Sequence, residues 1–426
     1  MNKESKNYAL PIAMMFALFF MVSFVTGLQN PMGVIVKNQF AASNFMSQLG
    51  NAANFIAYLF MGLPAGVLLK RIGYKKTALL AVAVGFIGVG ISYLSGQVGS
   101  FAVYLTGAFI SGFSMCMLNA VVNPMLNTLG GRGNKGNQLI QFGGSLNSVG
   151  ATIVPVLVGY LIGQNVSNAT IDNATPALFL AMGIFAIAFI VLSLVSIPEP
   201  SLAVNSKEKS AHSPLSFRHF IFGIIAIFLY VGLEVGIPNM ANLFMTSSAT
   251  DGGLGIDTTI AGTIVGTYWF LMMIGRLVGA SVGAKISSKT MMTFVSSLGI
   301  VFILLAIYMP VTTTVDMPVF QSNISFGLAE VPIGIMFLIL CGLCTSIMWG
   351  GIFNLAVEGL GKYTELASGL FMVMVCGGGI LPLIQGGIAD AFGYLSSYWL
   401  IVAALIYMLF FALIGSKNVN KDIPVE

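Results

Sequence analysis

Twelve runs of about twenty apolar residues follow one another along this chain, separated by short polar stretches. A helix needs about 20 such residues to cross the hydrocarbon of a bilayer. The runs cover 9–36, 46–69, 77–95, 101–126, 138–163, 176–196, 219–245, 258–283, 291–309, 331–356, 367–389 and 396–416. Only 8% of the 426 residues are charged and 57% are hydrophobic, against roughly 25% charged in a soluble domain. Nothing but lipid can cover that much apolar surface, so the sequence predicts an all-α membrane protein of twelve transmembrane helices. A net charge of +4 is too weak to suggest a nucleic-acid partner.

Lys and Arg are distributed on one side. Lys3, Lys6, Lys70, Arg71, Lys75, Lys76, Arg132, Lys135, Lys207, Lys209, Arg218, Lys285, Lys289, Lys362, Lys417 and Lys421 fall in one set of loops, and Lys37 alone falls in the other. Both termini are therefore expected in the cytoplasm, in a cell's inner membrane. Met1–Asn7 leads straight into the first span without a small-residue cleavage pattern. Asn165-Val-Ser, Asn168-Ala-Thr, Asn173-Ala-Thr and Asn323-Ile-Ser lie in the opposite loops and read as polar turns.

The longest polar stretch, Glu199–Pro214, sits near the midpoint. It divides the chain into an N-terminal six-helix bundle (1–198), a cytoplasmic linker (199–217) and a C-terminal six-helix bundle (218–426). His212 and His219 at its end read as solvated loop residues. The halves repeat in parallel. Gly62, Gly66, Lys76 and Thr77 match Gly275, Gly279, Lys289 and Thr290 at a spacing of 213. Asn123, Leu129 and Gly130 match Asn354, Leu360 and Gly361 at 231, and Gly150, Pro155 and Gly159 match Gly377, Pro382 and Gly386 at 227. Parallel repeats are the arrangement of carriers whose two halves rock about a central site.

Few polar groups lie inside the spans, and intramembrane ionisable residues are costly and generally functional. Glu234 is the only acidic residue placed deep in a span, about sixteen residues into the seventh. A carboxyl withdrawn from water can take up and release a proton as the two sides alternate. The competing readings are a structural hydrogen bond or direct binding of a sugar hydroxyl or Na⁺. Arg276, in the eighth span, is expected to bridge to an acid on the basic side or to helix-end carbonyls. Amides donate and accept, which suits hydroxyl networks: Asn119, Asn123 and Asn127 share a face of span four, and Gln29, Asn30, Gln141, Asn147, Asn354 and Gln385 add others. Asn127 sits too close to the basic side. Trp269 and Trp349 lie within spans and read equally as cavity wall, where sugar faces stack, or as core; Trp399 reads as an interfacial anchor. Cys341 and Cys344 form a CxxC without further ligands and read as packing residues. The glycine pairs Gly62/Gly66, Gly275/Gly279 and Gly279/Gly283 have the spacing of close helix contacts. No nucleotide-binding fingerprint and no nucleophile–base pair occurs, so neither an ATP-driven pump nor an enzyme is expected, and no metal or cofactor is called for.

The loop Gly66-Val-Leu-Leu-Lys70-Arg71-Ile-Gly73-Tyr-Lys75-Lys76 resembles the Gly-rich basic loop of the major facilitator superfamily, with Lys70 where that loop usually has Asp. Leu63-Pro-Ala-Gly66, Asn123-Pro124 with Leu129-Gly130, Asn147-Ser148-Val-Gly150, Tyr230-Val-Gly232, Gly275-Arg276, Leu360-Gly361 and Gly377-Gly-Gly379 resemble, more narrowly, the fucose–galactose–glucose proton symporter family. The resemblance implies the major facilitator fold and proton-driven import of a neutral monosaccharide, a hexose or deoxyhexose, by a monomer. It raises Asn30, Asn119 and Asn147 as substrate contacts, joined by Glu234, Trp269, Trp349 and Gln385. The family pattern has carboxylates at the places of Asn30 and Asn119, and a glutamine at Gly144. With that acidic pair replaced by amides, proton coupling falls to Glu234, while Na⁺ coupling and uniport stay open. The alternative function is export of hydrophobic or amphiphilic compounds. A non-transporting nutrient sensor is disfavoured by the short tails.

Overall fold

The computed structural model describes residues 8–129, 135–162, 169–198, 212–282, 286–321, 325–360, 363–420 and 422–425. Twelve helices are long and apolar enough to cross a membrane: α1 Ala9–Gln39, α2 Leu49–Leu69, α3 Arg71–Val98, α4 Phe101–Asn123, α5 Phe142–Ile162, α6 Ile171–Leu194, α7 Arg218–Thr246, α8 Thr258–Gly279, α9 Ser288–Tyr308, α10 Ile333–Val357, α11 Gly369–Phe392 and α12 Leu395–Gly415. Each coincides with one of the twelve apolar runs. The basic loop between α2 and α3 turns at Gly73, whose φ of 83° and ψ of 174° suit a residue without Cβ. Most of the linker expected at 199–217 lies outside the described residues.

Side-chain burial runs through the whole bundle. Tyr230, Tyr268, Tyr398, Phe185, Phe217 and Phe371 are among its largest fully buried side chains. The helices present exposed Leu, Ile and Phe outward, such as Phe60, Ile187, Leu194 and Phe294, as a bundle solvated by lipid requires. Trp399 is 47% exposed and sits edge-to-face with Tyr308 at 6.2 Å, in keeping with an aromatic anchor near a membrane boundary. Small residues set the closest approaches. At Gly275 an added Cβ would run into Ser346, and at Gly279 into Ile347, which brings α8 onto α10.

Two features differ from expectation. The chain is not all helix: in the α9–α10 connection β1 (Thr314–Phe320) and β2 (Phe326–Pro332) pair antiparallel, from Thr314↔Pro332 to Phe320↔Phe326. The Phe320 and Phe326 rings meet Phe270 of α8 at 5.8 and 5.1 Å, and Thr267 Oγ1 accepts a hydrogen bond from Phe320 N. Second, His219 is no solvated loop residue. It is fully buried in the first turn of α7, where its Nε2 donates to the Glu358 carbonyl at 2.9 Å. Its helix begins one residue before it, so the ring packs between α7 and the end of α10 rather than facing water.

Candidate functional site

At the end of the bundle that carries Lys37, a set of hydrogen bonds joins the two groups of six helices. Lys37 ends α1, and its Nζ donates to Asn44 Oδ1 (2.9 Å), Ser247 Oγ (2.8 Å) and the Tyr394 hydroxyl (2.9 Å). Tyr394 OH is in turn 2.6 Å from Ser247 Oγ, and Lys37 Nζ lies 5.6 Å from the Tyr394 ring centre. Asp390, near the end of α11, accepts Asn44 N and Phe45 N on its two carboxylate oxygens, both at 2.8 Å. Deeper on this side, Asn239 Nδ2 donates to Gln48 Oε1 (3.3 Å) and Asn51 Nδ2 to the Gly378 carbonyl (2.8 Å). The bonds of Lys37 to Ser247 and Tyr394, of Asp390 to Asn44 and Phe45, of Asn239 to Gln48 and of Asn51 to Gly378 join the first six helices to the last six, while Lys37–Asn44 and Tyr394–Ser247 each lie within one group.

The interior site is built around Glu234. The sequence places it sixteen residues along α7, about 24 Å at 1.5 Å per residue. Arg276, on α8, reaches it: Nη2 is 3.2 Å from Glu234 Oε1, with the side chains 14% and 12% exposed. This is the one ion pair among the described residues. The same guanidinium donates through Nη1 to the Gly144 carbonyl of α5 at 2.7 Å. An added Cβ at Gly144 would stand in ordinary contact with Nη1, at 3.5 Å, so the guanidinium lies directly against this residue. Tyr268 OH lies 3.2 Å from the Glu234 carbonyl oxygen, and 3.1 Å from Thr345 Oγ1 of α10. Tyr230, one turn before Glu234, interacts with both members of the pair, and its buried hydroxyl makes no hydrogen bond of good geometry.

Aromatic rings continue from there. Tyr230 meets Trp349 of α10 at 6.3 Å, and Trp349 meets Phe371 of α11 edge-on at 5.7 Å. Trp269 packs edge-on against Tyr268 at 5.2 Å, and its Nε1 is buried without a partner. A buried donor left unmade costs about 1–3 kcal/mol, so the Tyr230 hydroxyl and Trp269 Nε1 are places where water or a ligand hydroxyl gains most.

The remaining sequence candidates separate. Asn119 Nδ2 donates to Tyr58 OH (3.0 Å) and to its own helix at Met115 O (3.1 Å), which pairs α4 with α2. Asn147 Nδ2 donates to the Phe19 carbonyl of α1 at 3.3 Å. It lies one turn along α5 from Gly144 and so borders the Arg276 contact. Gln385 is fully buried with both amide atoms unpartnered, and its Oε1 occupies the space a side chain at Gly236 of α7 would need. It therefore faces α7 and not the Glu234 group. Asn354 is exposed on α10. The side chains of Asn30, Gln29, Asn127 and Gln141 lie outside the described residues. Cys341 and Cys344 are buried free thiols, and no cluster of metal-ligating side chains occurs among the described residues.

Tyr58 and the Arg276–Gly144 contact were not singled out from sequence, and Tyr230 entered only as part of a segment that resembles the family. Arg276 was expected to find an acid toward the basic side or a helix-end carbonyl; it takes the deep acid and a carbonyl together. The seventh and eighth spans run antiparallel, which brings residues twelve from the end of α7 and eighteen from the start of α8 within an arginine's reach.

Comparison with known proteins gives the arrangement its relatives. Over 424 residues the chain is 29% identical to a glucose/galactose transporter of Brucella abortus (strain 2308), covering 98% of this chain and 97% of that one. It is 23% identical over 432 residues to the L-fucose-proton symporter of Escherichia coli (strain K12), covering 96% and 93%. Among solved structures, the transporter FucP in its outward conformation superposes with a TM-score of 0.70 at 19% identity, over 96% of this chain and all of that one. The family model described as Major Facilitator Superfamily matches residues 15–381. With twelve apolar helices, that fold and a match across most of its length, the chain belongs to the Major Facilitator Superfamily.

Proposed function

We propose that this protein imports a neutral monosaccharide, a hexose or deoxyhexose, across a cell's inner membrane together with a proton. Both termini and the basic loops then lie in the cytoplasm, and Lys37 marks the outer face. The halves 1–198 and 218–426 act as the two rocking bodies. The observation that carries the reading is the Glu234–Arg276 pair. It is an acid and a base withdrawn from water where the two sets of helices meet, beside unpartnered Tyr230 and Trp269 groups and the Trp349 ring. Paired intramembrane charges mark substrate pathways and proton relays in carriers, and hydroxyl donors beside indole rings suit a sugar, which presents hydroxyl edges and C–H faces. Near full-length similarity to a glucose/galactose transporter and to an L-fucose-proton symporter supports the substrate class and the coupling ion. It also favours uptake over export of amphiphiles.

Glu234 serves as the coupling group, because Asn30 and Asn119 cannot exchange a proton. Asn30, Asn119, Asn147, Trp269 and Trp349 are the proposed substrate contacts, with Gln385 entering in another conformation of the cycle. The protein acts as a monomer. The test is uptake of labelled sugars by proteoliposomes under imposed pH and Na⁺ gradients, with and without a protonophore. Accumulation of a hexose that follows the pH gradient and collapses with the protonophore is expected. No saturable uptake of any sugar would refute the reading.

A further inference from the structure

We propose that Arg276 is the positioning residue that ties proton occupancy of Glu234 to the contact between α5 and α8. The proposal rests on reading Glu234 as the coupling group. Arg276 is the only side chain seen to hold both ends of this link: Glu234 Oε1 at 3.2 Å within the last six helices, and the Gly144 carbonyl at 2.7 Å across the interface. The groups facing Glu234 are few. They are Arg276 and the Tyr268 hydroxyl from α8, and Tyr230 from its own helix. Tyr268 is backed by Thr345 and Cys341 of α10. None of these except Arg276 carries a charge at neutral pH.

The consequence is electrostatic. When Glu234 is ionised the pair is neutral overall, and the guanidinium can stay between α7 and α5 in a nearly dry place. When water delivers a proton to the carboxylate, an O–H bond forms and no other proton leaves. The site then holds one net positive charge, with only neutral acceptors around it. A buried cation that loses its counter-charge is strongly disfavoured unless it regains water or another anion. The nearest route to water is for α5 to draw back from α8 at Gly144. Protonation thus loosens the α5–α8 contact, and deprotonation restores it. That gives the carrier a way for a proton on one helix to alter how the two sets of helices meet.

Nitroxide labels at Phe142→Cys on α5 and Leu277→Cys on α8, both exposed positions, would report the separation in proteoliposomes without sugar. The chain's own described cysteines are buried. The expected result is a distance distribution that shifts between pH 8 and pH 5 in the otherwise native protein. It should lose that pH response in Arg276→Gln and in Glu234→Gln, and keep part of it in Arg276→Lys. Gly144→Val, which crowds the guanidinium off the carbonyl while both charges remain, should flatten the response too, and serves if Arg276→Gln does not fold. In transport, Arg276→Gln should lower accumulation at least about tenfold, with Arg276→Lys intermediate. A native pH response in Arg276→Gln or Gly144→Val, or none in the unmodified pair, overturns the proposal. A pH response without any sugar uptake would overturn the proposed function and leave this link standing.

Discussion

The outer and inner contacts between the two sets of helices are built from different chemistry. At the Lys37 end one cation is shared among three neutral oxygens, and a carboxylate caps two backbone amides, all beside an open depression lined by Lys37, Asn44, Asp251, Asp390 and Tyr394. At the interior end a single guanidinium holds one carboxylate and one carbonyl with little access to water. At the outer end several hydrogen bonds hold the same few groups, so no single one carries the closure. The interior link has no redundancy, and its strength depends on a charge that a proton can remove. An outer closure shared among many neutral partners does not depend on one proton, whereas an interior link of one charge pair can act as a switch.

That contrast can be broken at either end. The largest effect is expected from Glu234→Gln, which should abolish gradient-driven sugar accumulation while sparing exchange. Undiminished accumulation would remove Glu234 from coupling. Next comes Arg276→Leu, which leaves a buried carboxylate without its partner and should destabilise the protein by about 3–5 kcal/mol. Thermal unfolding in detergent measures it, and adding Glu234→Gln should restore part of the loss; additive losses would mean that the two side chains do not act as a pair.

The outer end should respond in smaller steps. Lys37→Ala removes three hydrogen bonds from a charged donor, and it should raise reactivity of a cysteine placed at the outer end of α7 at least about fivefold, through a shift of about 1–3 kcal/mol toward the outer-open form. Tyr394→Phe removes one hydroxyl from the same group and should shift it by about 0.5–1.5 kcal/mol. Neither should alter the pH dependence of accumulation, since neither touches Glu234. If Lys37→Ala changed that dependence as much as Arg276→Gln, the division between the two ends would fail.

The twelve spans were readable because lipid imposes one simple requirement, a run of apolar residues long enough to cross, and all twelve runs became helices. Glu234 and Arg276 stood out for the same reason, as charges where charges are costly. Their pairing was not readable, because it depends on the relative depth of two antiparallel helices. Gln385 illustrates the converse. An amide in a span looks like a substrate contact, yet whether it faces the site or a neighbouring helix depends on rotation, and Gly236 of α7 makes room for it. The β1–β2 hairpin did leave a signal: Val315, Met317 and Val319 alternate with Thr314, Asp316 and Pro318, a period-two pattern easily lost in a chain dominated by helix-length apolar runs. His219 was read from its neighbours in the polar stretch, though α7 had already begun.

The most direct measurement is of two fluxes at once in proteoliposomes held without any gradient: labelled sugar entering, and protons leaving the weakly buffered medium on sugar addition. Sugar entry in the native protein should alkalinise the medium, and Glu234→Gln should admit sugar by exchange with no proton movement. Sugar entry without alkalinisation in the native protein, or alkalinisation that persists in Glu234→Gln, would contradict transport coupled through this buried pair.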